Sequence, residues 1–307
     1  MDLKSKIILI YGPTASGKSN FAIKLAKKIR GEIINADSMQ IYKQLQILTA
    51  RPKKNDIKKI KHHLYGFCDV KKKYSTGEWL KLLLRKIRYI RKIKKIPIIV
   101  GGTGLYFKAL TEGLVKIPNI PLKVRNKIRL MQKQLGQKIF FNKLLKLDPK
   151  IKGKIDKNDV QRSIRAYEIK YKTKKSILDW FKKTQIFFSS DEFIKLYIDY
   201  PRDVLLERIN SRVDRMFKNG AIEEVRRFNK LGVKKENSPN KVIGIAEITN
   251  FLNNQCSLQD AKDLIAIKTR QYAKRQVTWA RGQMQSWEKI KPKNMNLVLK
   301  KLKIITS

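Results

Sequence analysis

An apolar run, Lys6–Ile10, leads straight into Gly12-Pro-Thr-Ala-Ser-Gly17-Lys18-Ser19, and helically spaced apolar residues follow at Phe21, Ala22, Leu25, Ala26 and Ile29. Few folds accommodate that order. The GxxxxGK[ST] spacing needs a strand to deliver it and a helix to leave from it, and it then turns successive backbone N–H groups inward onto an anion. Gly12, Pro13, Thr14, Ala15, Ser16, Gly17, Lys18 and Ser19 are therefore read as a diphosphate-binding loop. Lys18 suits phosphate oxygens, and the Ser19 hydroxyl is a natural Mg2+ ligand. The spacing says that a phosphate is held and leaves open which reaction follows.

The rest of the chain extends this frame. Glu32–Asn35 predicts a second strand that delivers Ala36-Asp37-Ser38 to its carboxyl end. An amphipathic helix is expected over Trp79–Lys95, with Gly31 closing the helix before it, and then a strand over Ile96–Val100 that ends in Gly101-Gly102-Thr103-Gly104. Strand–helix alternation of this kind predicts an α/β fold, a P-loop parallel sheet flanked by helices, with ligands gathering at the carboxyl ends of the strands. From about Leu114 to Ser190 the strand signal lapses into basic helical stretches broken by Pro118, Pro121, Gly136, Pro149 and Gly153. A strand at Phe193–Asp199, a helix from Pro201 to about Asn219 and another carrying Asp260–Trp279 follow. The expected organisation is a core in two parts, 1–113 and 191–307, with a helical insertion domain at 114–190.

No window approaches the ~18 uninterrupted apolar residues of a membrane span, and the N-terminus reads as strand rather than signal peptide. Cys68 and Cys256 stand far apart without a CxxC partner, which favours reduced thiols and a cytoplasmic protein. Nothing marks an obligate protein partner. The 71 Lys+Arg against 25 Asp+Glu, net +46, suits a polyanion, though lysine-rich compositional drift accounts for part of such an excess. Arginine placement therefore carries more than the total.

Four groups of residues bear on chemistry. The Ile96–Val100 strand lacks the terminal acidic residue that P-loop ATPases use to hold metal, so γ-phosphate hydrolysis is poorly supported. Asp37, beside the phosphate loop, fits a general base, a metal ligand or a helix cap. Arg208, Arg212 and Arg215 share one helix face, as a solvated stripe or as a clamp on a diphosphate leaving group. The segment Arg270-Gln-Tyr-Ala-Lys274-Arg275-Gln276 with Trp279 reads either as packing with snorkelling cations or as an RNA contact. His62-His63 has no evident acidic partner and reads as structural.

Taken together, GPTASGKS, NADSMQIY (35–42), TARP (49–52), HHLYG (62–66), GGTGLY (101–106), DVQRSIRAYEI (159–169), RVDRM (212–216) and TRQYAKRQVTW (269–279) resemble the bacterial tRNA dimethylallyltransferase family. The resemblance implies transfer of a dimethylallyl group from dimethylallyl diphosphate to N6 of the adenosine 3′ of the anticodon, with Mg2+, on tRNAs reading codons that begin with U. It implies catalytic roles for Asp37, Thr103 and Arg212, with Asp37 as base. It further implies an adenine pocket at Asp37, Ser38, Met39, Gln40 and Thr103, and a grip on the anticodon stem-loop by Arg125, Gln161, Arg162, Ser163, Ile164 and Arg165. Arg270, Lys274, Arg275 and Gln276 would contact the tRNA as well. The chain departs from the family pattern at Leu48, Arg51, Ile245, Ala246 and Ala280. A P-loop small-molecule kinase shares the loop and the arginine helix but has no use for the RQYAKRQ segment. A tRNA-binding protein without turnover is the other rival, made plausible by the departures.

Overall fold

A computed structural model describes residues 5–52, 54–182 and 184–304. Its strands are, in chain order, β1 (Ile7–Tyr11), β2 (Gly31–Asn35), β3 (His62–His63), β4 (Ile96–Gly101), β5 (Leu114–Val115), β6 (Thr184–Gln185), β7 (Phe193–Ile198) and β8 (Glu288–Ile290). Six of them form one sheet in the order β3-β2-β4-β1-β7-β8, and every neighbouring pair is parallel. The central strands β1, β2 and β4 are buried along their whole length, as continuous apolar runs in a two-sided sheet should be.

One face of the sheet packs Ile8, Ile10, Ile33, Ile98, Val100, Leu196 and Ile198 against Phe21, Ala22, Leu25 and Ala26 of the helix Lys18–Lys28. On Thr76–Lys92, Trp79, Leu80, Leu83, Ile87 and Ile90 are buried at helical spacing, and this helix meets β2 and β4. Parallel pairing places the turns after β1, β2 and β4 along one edge. A second cluster joins the helices Arg202–Lys218, Ala221–Lys230, Ile245–Leu252 and Leu258–Gln283 to Ile41, Tyr42, Leu45 and Leu48.

Two elements differ from the expectation. Gly31 opens β2 instead of closing the preceding helix; Arg30 takes the left-handed turn (φ 53°). The two-residue strands β5 and β6, too short to show any periodicity, pair with each other antiparallel. They belong to a second compact unit, Leu110–Phe187, while the larger unit comprises 1–109 and 188–307. This division lies a few residues ahead of 114 and 190. Within the smaller unit the helix Leu122–Leu147 is interrupted at Gly136 (φ 69°, ψ 167°) and packs against Val160–Thr173. Its core is Phe141, Leu144, Ile151, Ile155, Ala166, Ile169 and Ile177. No described helix is long and apolar enough to cross a membrane.

Candidate active site

β1 ends at Tyr11 and the helix begins at Lys18, so the segment read as a phosphate loop is the turn between them, with Ala15 and Gly17 at positive φ. Lys18 Nζ donates to the Pro13 carbonyl at 3.2 Å. Two arginines of the helix Arg202–Lys218 reach this turn: Arg212 donates to Thr14 Oγ1 at 3.1 Å and Arg208 Nε to the Ala15 carbonyl at 2.7 Å. Both arginines are thus tied to this turn, Arg212 half-buried and Arg208 still exposed.

At the end of β2, the Asn35 side chain accepts from the Asp37 N–H at 2.8 Å and donates to the Asp37 and Leu64 carbonyls. Asp37 Oδ1 accepts from the Met39 N–H at 2.9 Å. No helix follows, so Asp37 is no helix cap; one carboxylate oxygen closes a turn of the kind short acidic side chains favour. Thr103 joins this turn to the one after β4: its hydroxyl accepts from the Ser38 N–H at 3.0 Å and donates to Ser38 Oγ at 3.2 Å. Two of the neighbouring glycines have a steric reason. A Cβ on Gly102 would stand 2.0 Å from Gln276 Nε2, and one on Gly104 would stand 2.1 Å from Trp279 Nε1. The GGTG turn is therefore shaped to admit side chains of the helix Leu258–Gln283.

Two cavities open at this edge. One, of about 420 Å³, is lined by Asp37, Ser38, Met39, Thr103, Tyr272 and Trp279 among others. The other, of about 750 Å³, is lined by Ala15, Gly17, Ser19, Arg51, Arg208 and Arg215 among others. Lys18, Gln40, Arg212 and Met216 line both. The family model described as "IPP transferase" matches residues 40–283. This chain belongs to the IPP transferase family. It is 64% identical over 303 residues to a Pelagibacter ubique protein named tRNA dimethylallyltransferase, covering 99% of this chain and 97% of the relative. A full-length tRNA isopentenylpyrophosphate transferase from Bacillus halodurans superposes with a TM-score of 0.70 at 28% identity, covering 98% of this chain and 97% of that one. A eukaryotic dimethylallyltransferase acting on tRNA superposes with a TM-score of 0.78 at 33% identity, covering 90% and 69%. The α/β fold read from the sequence agrees with these family structures.

Asp37, Ser38, Met39, Gln40, Thr103 and Arg212 all line the first cavity, with Arg275 beside them. Arg270 and Lys274 do not; Arg270 Nε donates to the Ala266 carbonyl of its own helix. Gln276 lines the first cavity as well and has a bracing role. It is buried, its Oε1 accepts from the Thr14 N–H at 2.8 Å, and its Nε2 donates to the Gly102 carbonyl at 2.9 Å. Both ends of its amide brace the Gly12–Ser19 turn against the GGTG turn, with one N–H and one lone pair each. Ser163 is fully buried, with its hydroxyl donating to the Asp159 carbonyl. Gln161 and Arg162 are exposed, Ile164 and Arg165 half-buried.

Missed by the sequence reading were Tyr272 and Trp279 as cavity residues. With Thr269 and Gln276 they stand at i, i+3, i+7 and i+10, one helix face, so helical periodicity was the available signal. The departure Leu48 is buried on the cavity wall with its Cδ2 2.7 Å from where a Gly244 Cβ would lie, and Ile245 belongs to the same cluster. Ala280 is buried too, whereas Ala246 is exposed. His63, structural as expected, has the acidic partner not evident in sequence: Glu32 Oε2 at 2.7 Å from Nε2, both buried.

Electrostatically the site is poised around Lys18. Burial lowers its ammonium pKa to about 8, with Arg212 pushing the same way and Asp37 opposing. Burial likewise lowers Arg212, again opposed by Asp37. A bound diphosphate needs the protonated Lys18. Donor kcat/KM, which reports the free enzyme, is therefore expected to fall as pH rises through about 8. The bound anion raises the Lys18 pKa, so the kcat profile should break at higher pH. Steady-state kinetics between pH 6 and 10 check this; identical breaks in both profiles would refute it.

Proposed function

We propose that the chain transfers a dimethylallyl group from dimethylallyl diphosphate to N6 of the adenosine 3′ of the anticodon, in tRNAs reading codons that begin with U, in the cytoplasm. The observation that carries this reading is the sharing of Lys18, Gln40, Arg212 and Met216 by two cavities. One offers a carboxylate, hydroxyls and the aromatic rings of Tyr272 and Trp279, which suits an extruded purine. The other offers the phosphate loop and arginines, which suits a diphosphate.

An adenine amino group is a poor nucleophile while its lone pair is delocalised into the ring. It attacks as its proton leaves, and Asp37 is the group placed to take that proton. The N6–C1 bond forms while the bond from C1 to the diphosphate oxygen breaks, and the electron pair departs with the diphosphate. Backbone N–H groups of the loop, Lys18 and Arg212 stabilise that charge. A stacked adenine is out of reach of any such cavity, so the base is flipped into it. Thr103 holds the Asp37 turn through Ser38. The smaller unit and the helix carrying Arg275 grip the anticodon arm.

Ser19 fits Mg2+ in one respect: its residue is exposed and lines the cavity of the phosphate loop. Among the described residues no three His, Cys, Asp or Glu side chains cluster to hold a metal. An ion there would take most of its oxygens from diphosphate and water, as Mg2+ commonly does. When bound, it neutralises charge on the leaving group.

Incubation with dimethylallyl diphosphate and tRNA should release diphosphate stoichiometrically with N6-modified adenosine, seen by nucleoside mass analysis. ATP and tRNA should release little phosphate. Brisk ATP turnover without prenylation would overturn the reading in favour of a kinase.

A further inference from the structure

Four charged residues of the smaller unit meet across two helices. Arg125 and Arg129 lie one turn apart on Leu122–Leu147, before its break at Gly136; Arg165 and Glu168 lie on Val160–Thr173. Glu168 is buried, its side chain 2% exposed, and its carboxylate faces all three arginines. Arg165 donates to Oε2 at 3.2 Å. Arg125 Nε is 3.7 Å from Oε2 and Arg129 Nε 3.7 Å from Oε1, beyond hydrogen-bond length. Neither Arg125 Nε nor Glu168 Oε1 has a hydrogen-bond partner among the described residues.

One arginine would neutralise one carboxylate. Three leave the cluster with a net charge of +2, and the arginine side chains remain 39%, 47% and 39% exposed. A buried carboxylate is costly unless cations surround it, so Glu168 holds three guanidinium groups near one point that would otherwise repel one another apart. Guanidinium forks match phosphate oxygens bidentately, and spacing decides how many phosphates they engage at once.

We infer that Glu168 is a positioning residue for RNA binding, setting Arg125, Arg129 and Arg165 as one phosphate-binding face. The inference rests on the proposed tRNA substrate. It makes a counterintuitive demand: removing a negative charge from this polyanion-binding surface should weaken polyanion binding.

The test is Glu168→Gln in the full chain, with a tRNA bearing adenosine 3′ of the anticodon titrated across a salt series. The expected result is a Kd and tRNA KM raised about tenfold, on the order of one lost charge-assisted contact, with a flatter salt slope. The KM for dimethylallyl diphosphate should hold, as should kcat at saturating tRNA. Unchanged or tighter tRNA binding by a folded Glu168→Gln protein would overturn the inference, because a purely electrostatic role predicts tighter binding. Arg129→Gln provides the second arm should the first variant not fold: it should flatten the log–log salt slope by roughly one contact, ~0.7–0.9. An unaltered slope would equally sink the phosphate face. Failure of the wild-type chain to bind or prenylate tRNA would instead bring down the proposed function, an outcome the wild-type control reads separately.

Discussion

Asp37→Asn should lower prenyl transfer by roughly 10²–10⁴-fold, the range that a positioned general base supplies, while tRNA binding stays near that of the wild type. The substitution is well suited to the question because the carboxylate has two jobs that asparagine separates. Oδ1 closes the turn by accepting the Met39 N–H, and an asparagine oxygen can do the same. The turn, and with it Ser38 and Thr103, should therefore stay in place. What is lost is an oxygen that can take a proton. A further consequence follows from charge: Asp37 raises the pKa of Lys18, which burial has lowered to about 8. Without that carboxylate the donor kcat/KM profile should break at lower pH than in the wild type. Wild-type turnover by the variant, or a loss traced to unfolding in a thermal melt, would return Asp37 to a purely structural turn role.

Gln276→Leu should damage donor use more than RNA binding, the opposite of what a phosphate-contacting glutamine would do. Leucine preserves much of the volume but strands the Thr14 N–H and the Gly102 carbonyl, both of which Gln276 satisfies. Each buried group left unpaired costs about 1–3 kcal/mol, so stability should drop by roughly 2–6 kcal/mol. The Tyr11 hydroxyl donates to the backbone carbonyl of residue 276 and should be unaffected. The released phosphate loop then samples positions away from the reacting geometry, for which a displacement of about 1 Å is worth ~10²-fold. Donor kcat/KM should fall on that order while the Kd for tRNA is unchanged. Weakened tRNA binding with normal donor kinetics would restore Gln276 as an RNA contact.

The two variants also mark the limit of what was legible in the chain. Asp37 could be placed because strand Gly31–Asn35 is a short local pattern and the residue sits just past its end. The bracing role of Gln276 was not legible because its partner Thr14 is 262 residues away. Likewise Arg165 could be nominated from its motif. Its carboxylate partner Glu168 stands in the same motif, yet only helix packing brings Arg125 and Arg129 to it.

By itself the sequence determined the phosphate loop, the parallel α/β sheet around it, the arginine face of Arg202–Lys218 and the family to which the chain belongs. All of these rest on spacing within a few turns or strands, where backbone geometry ties residue number directly to direction. Only the tertiary structure decided that Lys18 and Arg212 line two cavities at once, that Gly102 and Gly104 leave room for Gln276 and Trp279, and that Ser163 is buried. Those features depend on close approach between elements distant in the chain. Such contacts arise from packing and leave no periodicity behind in the sequence.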